Sequence, residues 1–190
     1  MQTKVWLAAA ALGMAGSAGA QPAPVPPPAE QQTAECAAPV FATDQLVCGD
    51  PALRALDSEL AARLAESPEP SSRWIEPQRK WFLRRSRCAF AEDHAVCAAA
   101  AYRERLALFA PLSPDAETLA AKCGVPEIAS VVVKGDQTIL VGHNGKIQGK
   151  AWNSAAKSSW RPFLTATWRG RQVAIRTLAD DNLKCRTKRP

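Results

Sequence analysis

Four of the six cysteines lie in residues 36–110, a stretch whose apolar spacing predicts three short amphipathic helices. One helix carries four side chains spaced three, four and three residues apart: Gln78, Trp81, Arg85 and Cys88. This spacing places them on one stripe of the helix surface. A stripe that ends in a cysteine, with further cysteines at neighbouring helix ends, predicts helices held together by disulfides. The stretch contains no obvious catalytic group, so surface recognition is the expected source of function.

Residues 1–20 predict a secretory signal peptide, with Lys4 before a short apolar run and small residues at 18–20. We expect a mature periplasmic or secreted chain that begins at Gln21. No cysteine follows the predicted cleavage site, so we expect no lipid anchor. No later segment is apolar for long enough to span a membrane. Six cysteines in an oxidising compartment predict three disulfides, formed among Cys36, Cys48, Cys88, Cys97, Cys123 and Cys185.

The composition predicts two modules after a Pro-rich linker at 21–34. Residues 36–110 hold ten basic and ten acidic residues, whereas 123–190 hold twelve basic and four acidic residues. We therefore expect a neutral helical domain at 35–112 and a small basic β domain at 120–190, with different partners.

Local signals place the three helices. Asp50 before Pro51 is a helix start, and leucines then recur at offsets of three and four. Pro77 indicates that the second helix begins or is kinked there, and the third helix is expected at about 95–110. Cysteine pairing 36–88 and 48–97 would tie the N-terminal loop to both later helices, but all three pairings of these four cysteines stay open.

Three motifs in order resemble the N-terminal domain of the LprI-type lysozyme-inhibitor family. The first runs from Val47 to Leu60 and includes Cys48-Gly49-Asp50-Pro51, the second is the Gln78–Cys88 stripe, and the third is Cys97 followed by Tyr102, Arg105 and Leu106. The resemblance covers about 75 residues. It implies an exported, disulfide-stapled helical domain, in a family of which at least one member is linked to inhibition of host lysozyme.

The motif residues are expected to be mainly structural, with Trp81 as a core anchor and Arg85 and Arg105 in ion pairs with Asp57 or Glu104. The family-motif positions carried over are Asp50, Leu53, Asp57, Gln78, Trp81, Arg85, Tyr102 and Arg105.

Residues 128–178 contain five short runs that are rich in β-branched and aromatic residues, separated by turn signals. Asn144-Gly145 is the strongest hairpin signal. We expect four or five antiparallel strands in a small sheet or half-open barrel, closed by a Cys123–Cys185 disulfide. The predicted fold class is therefore α+β, an N-terminal disulfide-stapled three-helix domain followed by a small antiparallel β domain.

Aromatic and cationic residues alternate in this basic half, a pattern that binds anionic glycans or other anionic polymers. The candidate binding residues are Trp152, Lys157, Trp160, Arg161, Arg169 and Arg171. The favoured alternative is that the tryptophans fill a small core. An anionic envelope polymer such as lipopolysaccharide is a candidate partner, and nucleic acid is not expected for an exported protein.

No nucleophile elbow, zinc-protease motif or phosphate-binding loop is present, and pairing accounts for every cysteine. A carboxylate pair for glycoside cleavage stays open, although helix-surface carboxylates are common. We expect no enzyme activity, cofactor or metal. The functional expectation is an envelope protein that binds or inhibits a lysozyme-type muramidase, with docking on an anionic polymer as the alternative.

Overall fold

A computed structural model describes residues 30–67, 71–153 and 159–188 of the 190-residue chain. The signal peptide and most of the Pro-rich linker that the sequence predicts lie outside the described residues. None of the helices in the described residues is long and apolar enough to cross a membrane.

The described residues of the helical half form four α-helices and one 3-10 helix. They are α1 (Ala42–Gly49), α2 (Pro51–Glu66), α3 (Gln78–Ser86), a 3-10 turn (Arg87–Phe90) and α4 (His94–Ala107). The Asp50 side chain accepts hydrogen bonds from the amides of Ala52 and Leu53, which confirms the predicted start of α2. The apolar side chains of these helices share one core, which also includes Trp160 from the C-terminal half.

The C-terminal half is a closed barrel of seven strands, in which each strand pairs with the next and β7 returns to pair with β1. The strands are β1 (Glu117–Cys123), β2 (Ile128–Lys134), β3 (Gln137–Gly142), β4 (Ile147–Asn153), β5 (Leu164–Arg169), β6 (Gln172–Thr177) and β7 (Asn182–Lys188). The β4–β5 pairing is parallel and the other pairings are antiparallel. The Asn144-Gly145 hairpin between β3 and β4 is confirmed, and Gly145 adopts φ +73° there.

The predicted fold class is wrong in both halves. The helices of the N-terminal half are short, and α1 was not predicted from the sequence. This half is therefore neither a three-helix domain nor a helical bundle. The β half is a closed barrel instead of a small antiparallel sheet, because β1 and β7 add two strands at its ends and close it. Closure removes the two free sheet edges that an open sheet of four or five strands would have exposed.

Three disulfides form among the described residues: Cys36–Cys48, Cys88–Cys97 and Cys123–Cys185. The first two link cysteines that are 12 and 9 residues apart, so the crossed pairing of 36 with 88 and 48 with 97 does not occur. The Cys123–Cys185 bridge is as predicted. It joins directly paired residues of β1 and β7, the two strands that close the barrel.

Several contacts attach the helices to the barrel. Trp74, from the segment between α2 and α3, is buried within the barrel's apolar cluster. The buried Lys150 ammonium on β4 donates to the carbonyl of Ala107 at the C-terminal end of α4, where the helix dipole favours a cation. These contacts join the predicted domains at 35–112 and 120–190. The division of the chain into these two domains stays a prediction.

Candidate functional site

The first motif cluster is a buried ion pair between Arg85 of α3 and Asp44 of α1. Both side chains have no solvent exposure, and Arg85 Nη2 lies 2.7 Å from Asp44 Oδ1. The guanidinium also lies over the ring of Phe82, 4.4 Å from its centroid. The partner of Arg85 is therefore Asp44, and not the Asp57 or Glu104 that the sequence suggested. With no route to solvent, this pair holds α3 to α1 and is not a ligand site.

The second motif cluster joins Asp57 of α2 to Tyr102 of α4. The Tyr102 hydroxyl donates to Asp57 Oδ1 at 2.7 Å, and the amide of Ala34 donates to the same oxygen at 3.0 Å. Burial raises the pKa of the Asp57 carboxyl, while these two hydrogen bonds and the Arg85 charge oppose that shift. Asp57 and Tyr102 therefore tie two helices and the N-terminal segment together.

The third motif cluster surrounds Arg105, which is buried beneath α3. Its Nε donates to the side-chain oxygen of Gln78, and its Nη1 donates to the carbonyl of Glu76 at 2.7 Å. Trp81 is buried beside Tyr102, in an edge-to-face contact with ring centroids 5.5 Å apart. Leu53 is buried in the same core. Except for the cap residue Asp50, the eight family-motif positions carried over lie inside the helical half and stabilise it.

The candidate binding residues of the β half separate into buried and exposed groups. Trp160 is buried in the helical core, where its indole N–H donates to Glu104 and the Arg84 guanidinium lies 3.8 Å from the ring centroid. Trp168 and Trp152 are half-buried, and the Trp168 indole N–H donates to Thr138 Oγ1 at 2.9 Å.

The cationic candidates that the structure describes lie on the surface. Arg161, Arg169 and Arg171 are exposed, and Lys157 lies outside the described residues. Among the candidates in the described part of the chain, the structure does not bring the aromatic and cationic residues together on one exposed face.

Glu104 of α4 connects the helices to the segment that enters β5. One carboxylate oxygen accepts from the Trp160 indole, and the other accepts from the Phe163 amide at 2.8 Å. Burial raises the pKa of the Glu104 carboxyl above its ordinary value of 4.5, against the opposing effects of Arg84 and the two hydrogen bonds. The folded protein therefore keeps a proton on Glu104 at a higher pH than the unfolded chain does.

This raised pKa predicts how stability depends on pH. The contribution of Glu104 to the free energy of unfolding is fully present below the pKa that its carboxyl has in the unfolded chain. It is lost as pH rises through the pKa of the same carboxyl in the folded protein. We expect the free energy of unfolding of the wild type, relative to Glu104→Gln, to fall as pH rises from about 4 towards neutrality. Urea unfolding at several pH values measures this difference, and exposed Glu59→Gln serves as the control. A wild-type advantage over Glu104→Gln that does not change with pH would contradict the assignment.

No group of three or more His, Cys, Asp or Glu side chains is placed to hold a metal ion in the part of the chain that the structure describes. His94 accepts or donates a hydrogen bond with Thr43 Oγ1 at 3.0 Å, and burial lowers its pKa.

One exposed surface is a depression of about 540 Å³ between the helices and the barrel, which we call the seam groove. Phe90 and Leu178 line it, with 91% and 42% of their surface exposed. The Cys88–Cys97 disulfide forms part of its wall and constrains the loop that carries Phe90. Arg87 and Arg161 lie at the same groove. An exposed aromatic beside arginines is the composition of protein–protein hot spots.

A second exposed surface lies on the outside of β5, β6, β7 and β1, and we call it the basic face. Seven exposed cations lie on it: Lys122, Arg169, Arg171, Arg176, Lys184, Arg186 and Lys188. Sequence reasoning identified Arg169 and Arg171 but missed the other five. The alternation of exposed and buried residues in β7 is the signal that could have found three of them, Lys184, Arg186 and Lys188.

The comparisons with known proteins agree with the helical motifs. Proteins named Lipoprotein LprI, from Mycobacterium bovis and from two strains of Mycobacterium tuberculosis, are each 30% identical to this chain over 149 residues. Each match covers 68% of this chain and 76% of the relative. The chain belongs to the LprI family.

The LprI similarity extends beyond the helical half. The matched 68% of 190 residues is about 129 residues, which is more than the 116 residues that precede β1. The LprI relationship therefore includes at least the beginning of the barrel, which the three motifs did not indicate. No family model and no solved structure matches the chain.

Proposed function

We propose that this LprI-family protein is exported to the cell envelope and binds a lysozyme-type muramidase by protein–protein contact, without catalysing a reaction itself. The observation that carries the proposal is the LprI match, which covers 76% of the relative. The residues of the LprI-type motifs build the core of the helical half. This half would thus provide a rigid scaffold for a contact surface, and the buried motif residues would not touch the partner.

The seam groove, which borders the helical half, is the surface that best fits a protein partner. Phe90 offers almost its whole ring to solvent at the end of the 3-10 turn. The Cys88–Cys97 bridge holds this turn to the start of α4, so little conformational entropy would be lost on binding. An aromatic side chain fixed in this way is suited to fill a pocket or an active-site cleft on the partner.

Charge also favours the helical half as the contact region. Lysozymes are commonly basic, and residues 123–190 carry a net charge of +8, from twelve basic and four acidic residues. Residues 36–110 are neutral, with ten of each sign. A basic partner would be repelled by the barrel at long range and would meet less repulsion at the helices. We therefore expect binding to a basic lysozyme to tighten as salt concentration is raised.

Phe90→Ser is expected to weaken binding to a basic animal lysozyme by roughly 30-fold or more, because an exposed aromatic anchor contributes about 2 kcal/mol or more when it is buried at an interface. The measurement is calorimetric titration of lysozyme with the oxidised protein, together with inhibition of cell-wall lysis.

Val40→Ser is the matched control, since Val40 is exposed by 52% and does not line the seam groove. This variant should bind like the wild type. If the wild type neither binds nor inhibits the lysozyme at large molar excess, the proposed function is wrong. If it binds but Phe90→Ser has no effect, the contact lies elsewhere on the protein.

A further inference from the structure

The basic face is built by strand register and not by chance proximity of surface side chains. Arg186 on β7 is paired directly with Lys122 on β1 and with Gln172 on β6, and Gln172 is paired with Arg169 on β5. These four side chains form one row across four strands, about 14 Å long. Along β7, Lys184, Arg186 and Lys188 follow at intervals of about 6.7 Å. The charges thus form a two-dimensional grid.

The cations of this grid are not neutralised by any residue in the described part of the chain. None of the seven forms an ion pair with another of the residues that the structure describes. Within the four strands, Glu117 at the start of β1 is the one acidic residue. Lys122 and Arg186 are like charges in directly opposed positions, an arrangement that destabilises a sheet. An anionic ligand would remove this repulsion.

The Cys123–Cys185 disulfide lies directly behind the grid. Cys185 is buried between Lys184 and Arg186 on β7, and Cys123 follows Lys122 on β1. The bridge therefore joins the two strands that carry the most closely opposed cations, whose repulsion weakens the strand pairing. A rigid arrangement of charges loses little entropy when it binds a ligand.

The residues between the cations indicate the chemistry of the ligand. The outward positions of the four strands hold neutral polar side chains and alanines, namely Thr118, Thr165, Thr167, Gln172, Asn182, Ala120 and Ala174. None is a large apolar residue that could insert into a membrane, and none is an aromatic residue on which a nucleic acid base could stack. Hydroxyl and amide groups next to cations suit a ligand that carries both hydroxyls and anionic groups.

We propose that the basic face binds an anionic polysaccharide, which lies across β5, β6, β7 and β1 with its carboxylate or sulfate groups on the cation grid. This site is separate from the seam groove and does not depend on muramidase binding. It would hold the protein on an anionic glycan while the helical half remains free.

The test uses the full oxidised protein and three probes: polygalacturonate, neutral dextran, and vesicles of anionic phospholipid. We expect polygalacturonate to bind with an affinity that falls steeply with salt, and dextran not to bind. Neutralising the central row in Lys122→Gln/Arg169→Gln/Arg186→Gln should weaken binding by roughly tenfold or more. The matched control is Arg79→Gln/Lys80→Gln/Arg103→Gln, which removes two arginines and one lysine exposed on the helices. It should bind within about twofold of the wild type.

A second measurement does not depend on the absolute affinity. Polygalacturonate should raise the unfolding temperature of the wild type and of the control but not that of the central-row variant, which should itself be more stable than the wild type at low salt. Equal loss of binding in the two triple variants would show attraction by net charge alone and would overturn the proposal. Binding to the vesicles without binding to polygalacturonate would also overturn it, and so would a protein that binds neither the vesicles nor polygalacturonate.

Discussion

Asp44→Asn is expected to lower the free energy of unfolding by about 3–5 kcal/mol, because it leaves the charged Arg85 guanidinium buried without its counter-ion. Both side chains are fully buried, and the ion pair is 2.7 Å long. Arg85 Nε and Nη1 have no hydrogen-bond partner among the described residues, so Asp44 is the main compensation for the charge. Urea unfolding of the oxidised protein, followed by tryptophan fluorescence, measures the loss, and the melting temperature should fall by about 10 °C.

Glu66→Gln provides the control for Asp44→Asn. It removes the partner of Arg63 in an exposed pair on α2, whose side chains are 49% and 65% accessible, and should change stability by less than about 0.5 kcal/mol. Asp44→Leu combined with Arg85→Met should recover much of the lost stability, because no buried charge remains. A loss below about 1 kcal/mol for Asp44→Asn would mean that water reaches Arg85 and that this motif residue is not a buried structural charge.

The helices were predicted where a local signal marks them. Asp50 and Pro51 specify the start of α2 by themselves, through a side-chain cap and a proline at the first position. Helix α1 has no side-chain cap at Phe41 and only eight residues, so nothing local distinguished it from a loop. It is held against α3 by the buried contact between Asp44 and Arg85, which are 41 residues apart. Such long-range pairs are not visible in a local pattern.

The strands were likewise predicted only where a local sequence pattern marks them. Strands β2 to β6 contain the apolar and β-branched runs that the sequence analysis identified. Strand β7 places only Leu183, Cys185 and Thr187 inward and carries three cations outward, so its composition resembles a basic tail. Its pairing with β1 depends on the closure of the barrel, and this closure also builds the basic face. The net charge was therefore predictable, but the residues that share the surface were not.

The candidate site was predicted only in part for a related reason. Trp160 precedes a strand, and the sequence left open whether it is exposed among cations or fills a core of the β half, with the core favoured. In the structure its segment returns to the helices, where Glu104 and Arg84 enclose the ring. Sequence spacing fixes which residues share a face of one element, but it does not fix what covers that face.

Trp74→Ala is expected to destabilise the protein by about 3–5 kcal/mol, because it empties a large buried volume in the barrel. Only 1% of the Trp74 surface is exposed, and its side chain belongs to the same cluster as Leu140 and Leu164. Trp74→Phe is the conservative variant and should cost clearly less, since the Trp74 indole N–H has no hydrogen-bond partner among the described residues. Urea unfolding measures both variants.

Gly149→Ala on β4 tests the same contact from the barrel side. A methyl group there would lie 2.9 Å from the Trp74 carbonyl oxygen and 3.0 Å from the Trp74 Cβ. The segment before α3 that carries Trp74 would therefore have to move. We expect a loss of about 1–3 kcal/mol, and hydrogen exchange that becomes faster both in β4 and in α3. Because Trp74 lies between the helices and the barrel interior, a variant that loosens it should loosen both halves together. Faster exchange in β4 alone would show that Trp74 fills the barrel without coupling the barrel to the helices.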